Sequence, residues 1–170
     1  MKGAALRSPT RIRHNGRKVS EIIEAHHRFV RGDESGVRAD LSGADLSGAN
    51  FEGMNLDLVN FQGANLEGAK LYNTRLSSVN MSKAKLKRAD LRKADLTEAN
   101  LSGADLTEAQ VGGAELFRTD LREAILRRAD FGGRISGAQR FAARIFRAPA
   151  CALRFCGKRT WRASICRDWI

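Results

Sequence analysis

The sequence predicts an all-β solenoid whose coils each contain four pentapeptides. Three observations carry this. From Ala39 to Gly133, nineteen consecutive pentapeptides run without insertion, each with a small residue, a polar residue, a large apolar residue and two variable ones. Departures from Ala at the first position recur twenty residues apart, Met54 with Thr74 and Val59 with Val79. Charges at outward positions oppose one another at the same interval: Glu67 faces Lys87, Arg88 faces Glu108 and then Arg128, and Glu98 faces Arg118. Neighbouring strands favour such pairs.

A period of five suits neither regular element. Leucines five apart on a helix rotate by about 140° each time and share no face. On a flat strand they fall on alternate faces. The chain must turn once per pentapeptide to keep every central apolar residue inside, and fixed-period self-similarity marks a solenoid. At a strand spacing of about 4.7–4.9 Å, nearly five coils make a rod roughly 23 Å long.

Each position of the repeat has a physical reason. The third is Leu, Phe, Met or Val in all nineteen units, from Leu41 to Phe131. Burying each such side chain contributes roughly 1.5–3 kcal/mol. The first is Ala in fourteen, which keeps a narrow interior free of clashes. The second is Asp or Asn in thirteen, side chains that bond locally to a turning backbone. Gly at the fifth (Gly43, Gly48, Gly53, Gly63, Gly68, Gly103) permits tight corners.

Units such as Ala39-Asp40-Leu41-Ser42-Gly43 and Ala44-Asp45-Leu46-Ser47-Gly48 match A-(D/N)-L-x-x, and on these the chain resembles the pentapeptide-repeat family over 95 of its 170 residues. The resemblance implies a right-handed quadrilateral β-helix. On function it implies little: some members resemble DNA and bind type II topoisomerases such as DNA gyrase, and others look like scaffolds.

The flanks read differently. Residues 1–19 form a basic leader, expected to be disordered; Met1–Ser20 holds six Lys or Arg and no acid, and no apolar stretch of a secretory signal. Residues 20–38 are expected to form a capping helix and turn. Ser20 would cap the helix, Glu21 and Glu24 suit its positive end, and Gly32 to Gly36 break it. Solenoid ends need cover, and Phe29 or Val30 is expected to lie against Leu41 and Leu46. Residues 134–170 carry nine Lys or Arg against one acid, with Cys151, Cys156, Cys166, Trp161 and Trp169. Ile135–Arg147 could form a basic amphipathic helix ended by Pro149. Three readings stay open for this segment: a cap using Phe141, Ile145 and Phe146, a partner- or membrane-binding tail, or a shifted reading frame.

The formal charge of +11 belongs to the tails. Residues 1–38 carry nine bases against four acids, net +5; 39–133 carry twelve against fourteen, net −2; 134–170 contribute +8. A DNA-mimicking rod needs a strong negative field, and −2 is weak. One basic patch lies on the rod, at Lys83, Lys85, Lys87, Arg88, Arg92 and Lys93, which reads as a solvated face partly neutralised by Glu67 and Glu108, or as a site for an anionic partner.

No catalytic constellation is evident, because the Asp spacing is the repeat's turn chemistry and a filled rod has no cleft to perturb pKa values. No cofactor or metal is expected; His26 and His27 face different ways on a helix, and the three cysteines lack the usual paired zinc spacing, although Cys151 and Cys156 leave a metal or disulfide in the tail as an alternative. An odd cysteine number suggests reduced thiols and a cytoplasmic setting.

The favoured function is a non-enzymatic, rigid protein-binding scaffold. Its candidate partner-binding surface is Leu58, Tyr72, Lys87, Arg88, Arg92 and Phe117, outward residues along with Ile125. Tyr72 is expected under Arg92 in a cation–π contact. Leu58 and Phe117 fall on one side, three coils apart. Alternatives are a topoisomerase bound through Asp90, Asp95, Asp105 and Glu108; nucleic acid or anionic lipid bound by the basic tails; and a homodimer formed end to end through Phe131 and the tail.

Overall fold

Residues twenty apart are bridged. In the computed structural model every second-position residue from Asp40 to Gln110 pairs in parallel with its counterpart one coil on, Asp40 with Asn60, Asn60 with Asn80, through to Gln110 with Asp130. Four pentapeptides therefore close one coil, as the Met54/Thr74 and Val59/Val79 spacing predicts. The structure describes residues 8–132, plus the backbone of two short antiparallel strands, Phe155–Cys156 and Thr160–Trp161.

The five-residue unit closes its own hydrogen-bond account. Around the first coil, Leu41 N–H donates to Asn60 O at 2.8 Å, Gly43 N–H to Gln62 O at 2.8 Å, and Asn60 N–H back to Ala39 O at 3.1 Å. Ala44 N–H donates to Leu41 O at 3.2 Å and closes the turn. That leaves the fourth-position N–H, and Asp40 Oδ1 accepts it from Ser42 at 3.0 Å. All thirteen second-position Asp or Asn residues make this bond, from Asp40 to Asp130. An Asx oxygen reaches the N–H two residues on. The described repeats hold no extended strand: two of every five residues turn, and each side contributes a single bridged residue per coil.

The fifth position is left-handed in every described repeat, and not only where it is Gly. Gly43 has φ +65°, and eleven non-glycine residues, among them Leu58, Asn73, Arg88 and Glu98, adopt φ between 54° and 69°. This conformation costs an L-residue roughly 1–2 kcal/mol, which the inter-coil bonds on either side must offset.

The interior is one continuous cluster from Leu41 to Leu121, with Phe51 and Phe61 in ring contact at 6.2 Å. Two first-position threonines are buried, and each hydroxyl finds a carbonyl one coil below, Thr74 to Phe51 O at 2.9 Å and Thr119 to Leu96 O at 2.8 Å. Buried hydroxyls need such partners. Leu126 and Phe131, in the last coil, are partly buried against the cluster. The cap expected of Phe141, Ile145 and Phe146, and the helix expected over Ile135–Arg147, lie outside the described residues.

The other end is covered. A 3₁₀ turn at Pro9–Arg11 leads into strands β1 (Arg13–His14) and β2 (Arg17–Lys18), then helix α1 (Val19–Val30). This corrects the expectation of a disordered leader for residues 8–19; residues 1–7 lie outside the described residues. Asn15 and Gly16, at φ 48° and 79°, make the two-residue turn that right-twisted hairpins favour, and Ile12 is buried in the core. The helix begins at Val19 rather than at Ser20; Lys18 is the N-cap, and its N–H donates to Glu21 Oε2 at 3.4 Å. The residues that cover the coil also differ from expectation. Val19, Ile22 and Ile23 join the core, whereas Phe29 is 38% exposed and Val30 37%. The apolar stripe that faces the rod starts one turn earlier than expected, because Ile12 and the hairpin extend the covered area towards the helix start.

Three bonds fasten α1 and its following turn to the first coil, and a fourth, from Val37, ties the turn to α1. His27 Nε2 lies 3.1 Å from Asn55 O, Ala39 N–H donates to His26 Nδ1 at 3.3 Å, Val37 N–H to Ala25 O at 3.1 Å, and Arg38 Nε to Leu58 O at 2.6 Å.

Candidate interaction surface

With third and first positions inside, function has only the second, fourth and fifth positions to use. Stacking at twenty-residue intervals turns these into rows along the rod. Glu52, Tyr72, Arg92 and Gly112 share one row. Ser47, Glu67, Lys87, Thr107 and Arg127 share a second, beside Arg88, Glu108 and Arg128. Asp57, Ser77, Thr97 and Phe117 share a third, beside Leu58, Ser78, Glu98 and Arg118.

The first row brings together two expected residues. Arg92 Cζ lies 5.8 Å from the centre of the Tyr72 ring, one coil below. Lys93 Nζ adds a second cation at 5.5 Å, which sequence spacing did not suggest. Asp90 holds the guanidinium with Nε to Oδ1 at 2.8 Å and Nη2 to Oδ2 at 2.7 Å. Asp90 is buried, and the Arg92 fork holds its carboxyl below the usual carboxylate value; Arg92 is raised in turn. Glu52, Lys70, Tyr72, Asp90 and Arg92 line a shallow depression of about 280 Å³.

The second row carries Lys87 and Arg88 side by side, but each has an acid. Lys87 Nζ is 3.4 Å from Asp105, Arg88 pairs with Glu67, and Arg128 lies 3.7 Å from Glu108. The pairing expected between Glu67 and Lys87 is therefore replaced. Both bases stand one coil above Glu67, and the longer, forked Arg88 reaches it while Lys87 turns upward. The expected Glu98–Arg118 pair is present at 3.2 Å. These contacts neutralise half of the cationic patch, Lys87, Arg88 and Arg92, and leave Lys83, Lys85 and Lys93 without an ion pair among the described residues.

The third row places Leu58 and Phe117 on one side of the rod but does not join them. Leu58 is 40% exposed and Phe117 50%, with Ser77, Ser78, Thr97 and Glu98 between them. Arg118 lies over the Phe117 ring at 5.1 Å. Ile125, 45% exposed, lies in the last coil.

Asp57 is the residue that sequence reasoning missed. Arg75, in second position, cannot accept the fourth-position N–H of its own unit. Asp57, one coil below, does so instead, taking Ser77 N–H at 2.9 Å and Arg75 Nη2 at 2.6 Å. The signal was an acid at a fourth position under a basic second position.

Among the described residues no group of three or more His, Cys, Asp or Glu is placed to hold a metal, and no helix is long and apolar enough to cross a membrane.

A repeat of five, a coil of twenty and a filled interior define a class of protein: a four-sided solenoid that presents rows of side chains. The chain belongs to the pentapeptide-repeat family. The model of that family, described as pentapeptide repeats in eight copies, matches residues 37–73 and 74–113. Among solved structures, the chain is similar to the pentapeptide-repeat protein Rfr23 of the cyanobacterium Cyanothece 51142, at 30% identity over 60% of this chain and 67% of that one, with a TM-score of 0.54. A pentapeptide-repeat protein of the Arabidopsis thaliana thylakoid lumen is 31% identical over 50% and 66%, TM-score 0.42. One from Nostoc PCC 7120 is 29% identical over 65% and 73%, TM-score 0.43. Members of the family form right-handed quadrilateral β-helices, the sense the resemblance implies. No curated protein matches the chain.

Proposed function

We propose that this protein is a rigid scaffold that binds another protein through its outward rows, without catalysis, in a cytoplasmic setting. The observation that supports this is the combination of a locked interior with exposed apolar side chains at Leu58 and Phe117 and a half-buried aromatic one at Tyr72. Core and backbone are already ordered, so docking costs little conformational entropy. An exposed Phe and a half-buried Tyr, each beside an Arg, match the composition that interface centres favour.

The charged alternatives have less support. Of the acids that a topoisomerase-binding rod would present, Asp90, Asp105 and Glu108 are each neutralised by Arg92, Lys87 and Arg128. Binding of nucleic acid or anionic lipid would rest on Arg11, Arg13, Arg17 and Lys18 before α1 and on C-terminal residues outside the described ones.

The test is affinity capture from a nuclease-treated lysate, with the wild-type chain and a Leu58→Ser, Tyr72→Ser, Phe117→Ser variant of unchanged melting temperature. The proposal expects one protein in near-stoichiometric amount, lost with the variant. Polyanions released by moderate salt would support the tails instead. Inhibition of gyrase supercoiling at micromolar protein would support the topoisomerase reading.

A further inference from the structure

His26 is the one side chain among the described residues with a buried polar atom and no hydrogen-bond partner. It is fully buried at the seam between α1 and the first coil. Nδ1 accepts the backbone N–H of Ala39, the first residue of the repeats, at 3.3 Å. Nδ1 therefore carries no proton and Nε2 does, but Nε2 meets no acceptor in hydrogen-bonding geometry. The ring stacks on Phe29 with centroids 6.0 Å apart. A neutral imidazole fits this site; an imidazolium does not, because its second proton would sit where the Ala39 N–H already points.

The surroundings offer the extra charge little, and only Asp57 acts in its favour. On α1 the neighbour is His27, 6.5 Å away ring to ring, whose Nε2 contacts Asn55 O. From the turn after α1 comes Arg38, a like charge. From the first coil comes Asp57, the nearest acid, but its carboxylate is taken by Arg75 and by Ser77 N–H. Burial lowers the His26 pKa from its ordinary value, against the smaller raising effect of the Asp57 carbonyl.

We propose that α1 is a proton-sensitive lid: protonation of His26 breaks its Nδ1 bond to Ala39 and releases the helix from the first coil, while the repeats stay folded. The sign follows from linkage. The folded-state pKa is lowered, so the lid's stability from this group is full above about pH 6.5 and declines as pH falls below it. Release would uncover the interior around Leu41 and Leu46 at the rod's end, turning a closed end into an acid-exposed apolar surface.

Amide exchange on the full chain, corrected for intrinsic rates and followed from pH 7.5 to 5, tests this. Ile23 and Phe29 report the lid, and Leu66 and Leu86 report the rod. The expected result is lid protection that falls by up to tenfold per pH unit, against constant rod protection. His26→Asn keeps an acceptor at the Nδ1 position and should flatten the lid's pH dependence; His27→Gln should leave it in place. Lid protection independent of pH, or an unchanged fall in His26→Asn, would overturn the proposal, as would loss of the fall in His27→Gln. Should His26→Asn fail to seat the lid at any pH, the imidazole titration of His26 in the wild type decides. Titration below pH 6.5 in step with lid exchange supports the proposal, and titration at or above 6.5 contradicts it.

Discussion

Asp57 Oδ1 accepts the backbone N–H of Ser77 across one coil, at 2.9 Å. In the thirteen units with a second-position Asp or Asn that N–H is served from within its own pentapeptide; in the unit where Arg75 displaces the usual residue, Asp57 supplies the bond from one coil below. Removing that bond should show. Asp57→Ala orphans Ser77 N–H and frees Arg75, and should cost about 1–3 kcal/mol. Asp57→Asn keeps the acceptor and loses only a pair whose Arg is largely exposed, so it should cost less than about 1 kcal/mol. Urea unfolding of the two variants against wild type measures the difference.

Glycines divide into two kinds, and their alanine variants should separate. A Cβ at Gly36 would sit 2.1 Å from Phe29 N and 2.3 Å from Phe29 Cα, so Gly36→Ala must push the turn off the end of α1. A cost of roughly 1–3 kcal/mol is expected, as for other overpacked sites, with exchange increased in α1. At Gly48 the same Cβ meets nothing within 4 Å, and only the left-handed φ of 64° resists it. Gly48→Ala should cost about 1 kcal/mol and leave α1 protected.

The rod itself should resist acid to a lower pH than the lid. Asp40 is held below its ordinary 3.8, first by the Ser42 N–H, and Asp120 by the Arg122 side chain. Asp90 is lowered by Arg92. Folded values below the unfolded ones mean that these carboxylates stabilise the rod fully above about pH 3.8, and that this contribution is lost as pH falls through the folded values. Far-ultraviolet circular dichroism of the repeats should hold from pH 7 to about 4 and decline below. Loss of the repeat signal already at pH 5 would contradict the assignment.

How much of this was legible in the sequence depends on how many residues repeat the message. The coil of twenty was written in Met54, Thr74, Val59 and Val79, and the Tyr72–Arg92 stack followed from it. Side-chain choices within reach of two partners were not: Lys87 and Arg88 both overhang Glu67, and only geometry decides that Arg88 takes it. The hairpin before α1 is too short for periodicity, although Asn15-Gly16 is a turn signal that could have revealed it. The lid's covering contact does not fall at Phe29 and Val30, which are exposed, while burial goes to Val19, Ile22, Ile23 and His26.

Everything above rests on neighbouring residues of one pentapeptide having opposite fates, Leu86 fully buried and Lys87 exposed. Thermal unfolding of Leu86→Asp and Lys87→Asp compares them directly. The structure requires Leu86→Asp to lose the cooperative transition, since an unpaired carboxylate in the core costs several kcal/mol at least, on the order of a third or more of a small domain's stability. Lys87→Asp, which removes the exposed Lys87–Asp105 pair and sets a like charge there, should unfold within about 1 kcal/mol of wild type. Equal behaviour of the two variants would contradict the inside–outside register, and with it every surface assignment made here.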